Sequence, residues 1–422
     1  MTDTDVASTG TRLPRALTPF RHPSYRRLAV ALVLATFAGG VWVVGLVWEV
    51  IRLDGGPAQL SLVSTASAVG VLLPALLGGV VADRVPQKVI LLGVAATELS
   101  CMGLVAVFSL ADLTQLWHLV VVGFVIGAAM AFYYPAYSAW LPALVPEDEL
   151  LAVNGVEGMI RPTIGQALGP AVAGVVVGAA SPGAALTVAA VCSLAGLVAL
   201  ATVPLTPVRR DAESGPTSVL HDLREGFVYM VRTPWLLATL LFASLMVFLI
   251  MGPLEVLLPF LIKDKLGGGP GDHALVLAAF GIGGAVGSLV VASRPMPRRY
   301  LTWMNLMWGV GCLPFAVMGV ATAIWQLVVA AFVLGALFSA PMVIWGTLLQ
   351  RRVPPHLLGR VSSLDFFVSV SLMPVSMAVA GPVSEAIGLR TTFLIAGTLP
   401  AVAAAVAIVA ARLPQDEVAH PL

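Results

Sequence analysis

Charged residues are scarce in this sequence. Only 11% of the 422 residues are Asp, Glu, Lys or Arg, whereas 59% are apolar. So few charges cannot cover the surface of a water-soluble globule of this length. The sequence therefore predicts a membrane protein with many spans.

Cysteines and basic clusters are also scarce. Cys101, Cys192 and Cys312 lie in apolar stretches without metal-ligand spacing, so they are interpreted as small core residues. The net charge is +1 and basic residues do not form a stripe interleaved with aromatics. Both features argue against nucleic acid as a partner.

Catalytic motifs are missing too. The pattern Gly281-x-Gly283-x-x-x-Gly287 has the wrong spacing for a dinucleotide loop and follows no predicted strand. The sequence contains no Walker loop, nucleophile elbow or zinc-binding His pair. We therefore expect no enzymatic activity, no cofactor and no bound metal.

Long apolar runs fill most of the chain. A helix needs roughly 20 apolar residues to cross about 30 Å of hydrocarbon, and we find twelve such windows. Alternating strand patterns are absent, so the backbone is expected to satisfy its hydrogen bonds within helices. The predicted fold is all-α, with twelve transmembrane helices. The predicted spans are 28–51, 58–81, 88–110, 116–139, 155–179, 183–204, 235–262, 272–293, 299–321, 323–348, 362–386 and 390–411.

Loop charges predict the orientation. With the N-terminus inside, the outer loops hold only Arg52, Lys263, Lys265 and Arg390, and nearly all other Lys and Arg residues face the cytoplasm. Both termini are then cytoplasmic. An amphipathic piece in the linker, around Leu220 to Met230, is expected to lie along the membrane surface. The predicted units are an N-terminal tail 1–27, a six-helix bundle 28–205, a cytoplasmic linker 206–233, a second bundle 234–411 and a C-terminal tail 412–422.

The two bundles share sequence. Leu-Trp-x-Leu-Val at 116–120 recurs as Ile-Trp-x-Leu-Val at 324–328, and Phe-Val-x-Gly at 124–127 recurs at 332–335 in the same register. A shared register over this distance indicates duplication. Two six-helix halves in the same orientation imply a pseudo-twofold axis along the membrane normal, with a site between them near the midplane.

One loop carries a family signature. Gly79, Asp83, Arg84 and Lys88 match Gly-x-x-x-Asp-Arg-x-Gly-x-basic, although Pro86 stands where glycine is usual. With twelve spans and the repeat, the chain resembles the major facilitator superfamily over essentially its whole length. The resemblance implies that Asp83 caps the eleventh helix and latches the cytoplasmic side shut. The alternative is a solvated loop acid.

The fifth span holds a second pattern. Gly165, Gly169, Pro170 and Gly174 resemble the Gly-x-x-x-Gly-Pro-x-x-Gly-Gly motif of exporters in the superfamily, with Ala173 in place of one glycine. Small residues let helices approach closely and proline bends them, so the alternative reading is packing alone. Among exporters, the chain looks most similar to bacterial multidrug and siderophore efflux proteins.

Acidic side chains at membrane depth are the candidate proton carriers, since each costs roughly 2.5 to 3.5 kcal/mol to insert. Glu255 is the preferred one, because a desolvated carboxyl can load and release a proton; the alternative is that it faces water. Glu98 and Glu157 are the other candidates. Glu98 is equally compatible with a buried, protonated acid, and Glu157 with an ion pair to Arg161 four residues later.

Other polar groups are ranked below these. Glu49 and Asp365 lie near predicted helix ends, where a solvated carboxylate is expected. Arg161 is a possible contact for an anionic substrate.

Aromatic and methionine side chains supply a candidate substrate cavity. They lie on the first, fourth, seventh and tenth spans, which the resemblance places around the cavity, and their adaptable faces suit variable amphipathic ligands. For any single member, ordinary packing or the interfacial aromatic belt is the alternative. With Arg161, the set is Trp42, Phe132, Tyr133, Tyr137, Met246, Met251, Phe338, Met342 and Trp345.

The resulting functional expectation is proton-coupled efflux of amphipathic small molecules, drugs or siderophore-like compounds, by alternating access. Small-molecule substrate, protons and the lipid bilayer are the expected partners of a monomer in a bacterial plasma membrane. The alternatives are a nutrient uniporter or symporter and a non-transporting membrane sensor or assembly partner.

Overall fold

The structure is a computed structural model that describes residues 15–75, 81, 85–146, 149–206 and 219–421. These residues form helices and no strand. Helices keep their backbone hydrogen bonds within the segment, which is what a chain surrounded by hydrocarbon requires.

Eleven of the described helices are long and apolar enough to cross a membrane. The helix Pro57–Leu72 is shorter, and residues 76–80 that follow it lie outside the described part of the chain. The eleven helices and the shorter one fall within or close to the predicted spans. In the first part of the chain they are α1 Pro23–Arg52, α2 Pro57–Leu72, α3 Gln87–Leu110, α4 Leu116–Ser138, α5 Val156–Ala179 and α6 Pro182–Ala201. In the second part they are α7 Pro234–Lys265, α8 Pro270–Ala292, α9 Tyr300–Val320, α10 Ile324–Arg352, α11 Arg360–Ile387 and α12 Leu389–Ala410.

Local chemistry explains where these helices begin and end. Pro23 and Pro57 open their helices, at the position where a missing backbone N–H is harmless. The side chain of Ser181 accepts the Ala184 amide at 3.1 Å and so caps α6. Gly388, with φ of 84°, makes the sharp turn from α11 to α12.

Two membrane helices contain π-helical turns next to prolines. One runs from Arg161 to Leu168 in α5 and another from Pro253 to Leu257 in α7, which has a further π turn at Leu261–Lys265. Proline lacks the N–H that would continue the α-helical ladder, and a π turn inserts extra chain and re-aims the side chains that follow. The turns at Arg161–Leu168 and Pro253–Leu257 hold candidate site residues, among them Gly165 and Glu255.

Hydrogen bonds from side chains to backbone carbonyls show which helix ends lie on the same side of the bundle. Arg27 at the start of α1 donates to the Thr202 carbonyl at 2.8 Å, just past α6. Lys88 at the start of α3 donates to the Ala201 carbonyl at the same distance. Basic side chains stabilise the unpaired carbonyls at a helix C-terminus. We call the side where α1 begins the N side, and the other the opposite side.

The helix contacts of the first part recur in the second. Helix α2 packs on α4, as α8 does on α10; α1 packs on α6, as α7 does on α12; and α3 packs on α6, as α9 does on α12. Contacts between the two parts run mainly from α2 to α11 and from α5 to α8. The packing thus follows the sequence repeat.

The repeated Phe-Val-x-Gly explains one pair of these contacts. A methyl group on Gly127 would come within 2.1 Å of the Ser67 carbonyl oxygen in α2, and one on Gly335 within 2.0 Å of the Phe280 carbonyl oxygen in α8. Both glycines therefore let one helix backbone lie directly against another.

Gly335→Ala is expected to lower the stability of the purified protein by about 1 to 3 kcal/mol, because the added methyl group meets a backbone carbonyl that cannot move alone. Thermal unfolding in detergent measures this. The control is Gly346→Ala in the same helix, where a methyl group meets nothing within 4 Å; this change should leave or raise stability. A Gly335→Ala protein that unfolds at or above the wild-type temperature would contradict the packing argument.

Two short segments pack on the second part of the bundle. The linker helix, Val219–Arg232, pairs Glu225 with Arg360 at the start of α11. The predicted amphipathic piece is thus a helix, and it is held by protein contacts. The tail helix, Leu413–Ala419, inserts Glu417 at the start of α9, where its carboxylate accepts the Leu301 amide at 2.8 Å.

Candidate functional site

A cavity of about 410 Å³ lies among α1, α2, α7 and α11, with one side chain from α4. Its wall is apolar apart from Ser64, Ser67 and Glu255. The lining side chains are Trp42, Val43, Leu46, Val47, Leu60, Val63, Ser64, Ser67, Ala68, Val71, Leu72, Ile126, Glu255, Phe366, Val370, Met373 and Met377. Volume and composition are those of a small-molecule pocket.

Glu255 lies in the π turn of α7 and its side chain lines this cavity. Leu254, Val256 and Leu257 are buried, whereas Glu255 between them is exposed. No hydrogen bond or ion pair reaches its carboxylate from the described residues. A carboxylate at membrane depth without a protein partner is costly, which makes Glu255 the candidate functional group of this cavity.

The cavity is closed at its opposite-side end by contact between α2 and α11. The Gly381 amide donates to Ser61 Oγ at 2.9 Å, and a methyl group on Gly381 would come within 2.8 Å of Ala58. Helix α2 packs chiefly on the Met373–Ile387 part of α11 and touches Pro355–Ser371 in few places. Among the described residues, the two helices are therefore closest on the opposite side.

A second close approach joins α5 to α8. A methyl group on Gly174 would come within 2.4 Å of Ala274 Cβ. Gly165 and Gly169 instead face α1, where the Gly165 carbonyl and the Pro170 ring lie against Gly40. The exporter-like pattern thus serves two helix contacts, one within the first part of the bundle and one between the two parts.

The signature loop falls largely outside the described residues. Gly79, Asp83 and Arg84 lie there, so the structure carries nothing on the predicted latch. Lys88 is described, and it caps the C-terminus of α6 as given above.

Glu98 lines a separate, smaller cavity inside the first part of the bundle, together with Tyr133 and Tyr137. The two tyrosine rings are stacked, with centroids 5.6 Å apart. The Tyr137 hydroxyl donates to Glu157 at 2.7 Å. Glu98 and Glu157 are therefore associated with this phenol pair and do not line the Glu255 cavity.

The expected ion pair between Glu157 and Arg161 does not form in the structure. Glu157 accepts from Tyr137, and Arg161 is exposed with its guanidinium 5.8 Å from the Tyr134 ring centre. The backbone is α-helical at this point, since the Arg161 amide bonds to the Glu157 carbonyl, but the Glu157 side chain takes its partner from α4 instead.

Glu49 was expected to be solvated, and this is wrong. Its side chain is fully buried. Arg52 donates to both carboxylate oxygens, at 2.7 and 3.0 Å, and Ser109 Oγ donates at 2.8 Å. Arg52, one turn away on α1, thus neutralises the charge of Glu49. The hydrogen bond from Ser109 joins α1 to α3.

Asp365 is half-buried, so it too differs from the expected solvated acid. Trp345 Nε1 donates to it at 3.0 Å. The Trp345 ring also makes edge contacts with Trp235 and Trp308, at centroid distances of 6.1 and 6.4 Å. Trp345 is therefore part of a tryptophan cluster of α7, α9 and α10, anchored to α11 through Asp365.

The remaining predicted cavity residues are dispersed. Trp42 lines the Glu255 cavity, whereas Met246 is packed in the core, and Phe338 is half-buried against Phe280. Phe132 and Met251 are half-buried and Met342 is exposed. Instead of α10, the wall uses α2 and α11, chiefly through Ser64, Ser67, Phe366 and Met373. Sequence reasoning missed these residues, since helices that are apolar all round do not reveal which face is inward.

A cavity closed at one end within a bundle of apolar membrane helices is compatible with a membrane transporter, in which a central site opens to one side at a time. A family model described as transmembrane secretion effector matches residues 15–421. The chain therefore belongs to this family of major facilitator superfamily transporters.

Curated relatives and solved structures agree with this family. The chain is 24% identical over 347 residues to macrolide efflux protein A of Streptococcus pyogenes, covering 80% of this chain and 84% of the relative. It is 26% identical over 375 residues to the multidrug efflux pump Tap of Mycolicibacterium fortuitum, covering 86% and 90%. The crystal structure of the nucleoside transporter NupG superposes with a TM-score of 0.72 at 14% identity, covering 92% of this chain and 98% of that one. The structural likeness shows the shared fold alone.

Proposed function

We propose that this protein exports amphipathic small molecules in exchange for protons, by alternating access. The observation that carries the proposal is the apolar cavity around the unpaired carboxylate of Glu255, closed at one end by α2 and α11. A carboxylate that changes its exposure between two sides can take up a proton on one side and release it on the other. The efflux activities named for two relatives support the direction of transport.

The proposed architecture is twelve spans in two six-helix halves, 28–205 and 234–411, with α2 as the second span. The repeated helix contacts support this arrangement. We propose that the N side is cytoplasmic in a bacterial plasma membrane, so that both termini are inside. The close contacts of α2 with α11 and of α5 with α8 then form the external gate of an inward-open monomer.

Within this scheme Glu255 is the coupling residue and Trp42 contacts the substrate. Gly174 and Gly381 serve the gate, while Gly165, Gly169 and Pro170 hold α5 against α1. Lys88 anchors the start of α3. Glu98 and Glu157, with Tyr133 and Tyr137, form a second set of proton-binding groups outside the cavity.

The test is transport by the wild-type protein in proteoliposomes loaded with a pH indicator. A cationic dye added on one side, with a proton gradient across the membrane, should move uphill only when protons move in the other direction. Downhill movement independent of the gradient would favour a uniporter, and movement in the direction of protons a symporter. Absence of any ligand movement across a panel of drugs and siderophores would favour a non-transporting sensor.

A further inference from the structure

We propose that the ligand of the Glu255 cavity is an amphipathic cation with one positive charge, and that the carboxylate of Glu255 is its counter-ion. This rests on the proposed function and narrows its substrate class. The sequence left drugs and siderophore-like compounds open. The structure distinguishes these ligand classes by charge, because a cation is attracted to the Glu255 carboxylate in the apolar wall and an anion is repelled by it.

The charge of the cavity comes from Glu255 alone. Among the described residues that line it, Glu255 is the single ionisable side chain, and the only other polar ones are Ser64 and Ser67. Their hydroxyls can solvate a ligand but cannot offset a full charge. An anionic ligand would therefore meet an unpaired carboxylate in an apolar wall, whereas a cation would neutralise it.

The basic side chains at the opposite-side ends of α1 and α7 are engaged elsewhere. Arg52 pairs with Glu49 and with Asp112, at 2.7 Å in each case. Lys265 donates to the Gly319 carbonyl at 2.8 Å, and Lys263 lies 3.8 Å from Asp264. These contacts satisfy the nearby positive charges without Glu255.

The remainder of the wall suits the apolar body of such a ligand. Trp42 and Phe366 contribute aromatic rings, which attract a cation through their faces as well as by burial. Met373 and Met377 contribute flexible side chains that adapt to different shapes. The wall therefore places few limits on the shape of a ligand, whereas Glu255 selects the sign of its charge. This combination is expected of a transporter for several amphipathic cations.

Tetraphenylphosphonium and tetraphenylborate test this inference, since the two ions share size and shape and differ in sign. Binding of each to the purified full-length protein in lipid nanodiscs is measured by equilibrium dialysis, with empty nanodiscs subtracted. We expect saturable binding of tetraphenylphosphonium and none of tetraphenylborate. Glu255→Gln should weaken tetraphenylphosphonium binding about tenfold or more. The control Glu385→Gln removes an exposed acid of α11 and should leave binding unchanged.

Two results would overturn the inference: tetraphenylphosphonium affinity unaltered by Glu255→Gln, or tetraphenylborate bound as tightly at the same saturable site. Glu255→Asp keeps the charge and should keep the preference for the cation, which guards against a glutamine variant that fails to fold. Cation binding through Glu255 without proton-linked transport would refute the proposed exchange and leave the ligand class standing. Proton-linked export of an anion would refute the proposed ligand class and leave the proposed exchange standing.

Discussion

Glu255→Gln is expected to reduce proton-driven uphill export to the level of vesicles without the protein. Glutamine has nearly the shape of glutamate and cannot release a proton, so the cavity can no longer carry a proton in one direction and substrate in the other. Downhill movement of a neutral amphipathic ligand should persist, because the apolar wall is unchanged. Counterflow and uphill uptake into inverted vesicles separate these two activities.

The comparison variants are Glu385→Gln, Glu98→Gln and Glu157→Gln. The first should behave as wild type, since Glu385 is exposed at the end of α11. The other two lie outside the Glu255 cavity, so we expect smaller losses. If uphill export survives Glu255→Gln and disappears with Glu98→Gln or Glu157→Gln, the coupling residue is Glu98 or Glu157 and not Glu255.

Gly381→Val is expected to abolish export by holding α2 away from α11. The Cβ atom alone would lie 2.8 Å from the Ala58 backbone, and valine adds two methyl groups. The external gate could then not close. A cysteine introduced at Ser64 in the cavity should react with a membrane-impermeant maleimide from outside the cell about tenfold faster or more than in the parent.

The matched control is Gly103→Val in α3, in the half of that helix on the same side of the bundle, where a Cβ meets nothing within 4 Å. Export and cysteine labelling should both stay at the parental level. Gly381→Val with normal export would mean that the contact between α2 and α11 is not part of the gate.

The positions of the helices could be predicted from the sequence because the length of an apolar run can be counted along the chain. The third span was predicted at 88–110 and the helix is Gln87–Leu110. The second was predicted at 58–81, whereas the described helix is Pro57–Leu72. Sequence repeats can be read along the chain in the same way, and the repeated glycines at 127 and 335 make equivalent close contacts between helices.

The site was less accessible to sequence reasoning because it depends on which way each side chain points. Distance from a helix end suggested that Glu49 was solvated, yet it faces Arg52 and Ser109 in the interior. Arg161 was the expected partner of Glu157 because of its α-helical spacing, yet the Glu157 carboxylate accepts from Tyr137 on α4. Glu255 was singled out because a carboxylate at membrane depth is conspicuous, whereas the helices opposite it carry only apolar and small polar residues in the cavity wall.

The tail helix has a consequence for biosynthesis. The amides that open α9 are accepted by Glu417, which lies 116 residues further along the chain than Leu301. A ribosome delivers α9 to the membrane well before that acceptor has been made. The first amides of α9 therefore gain this acceptor only after the chain has been synthesised as far as Glu417, by which time α10, α11 and α12 have also been made.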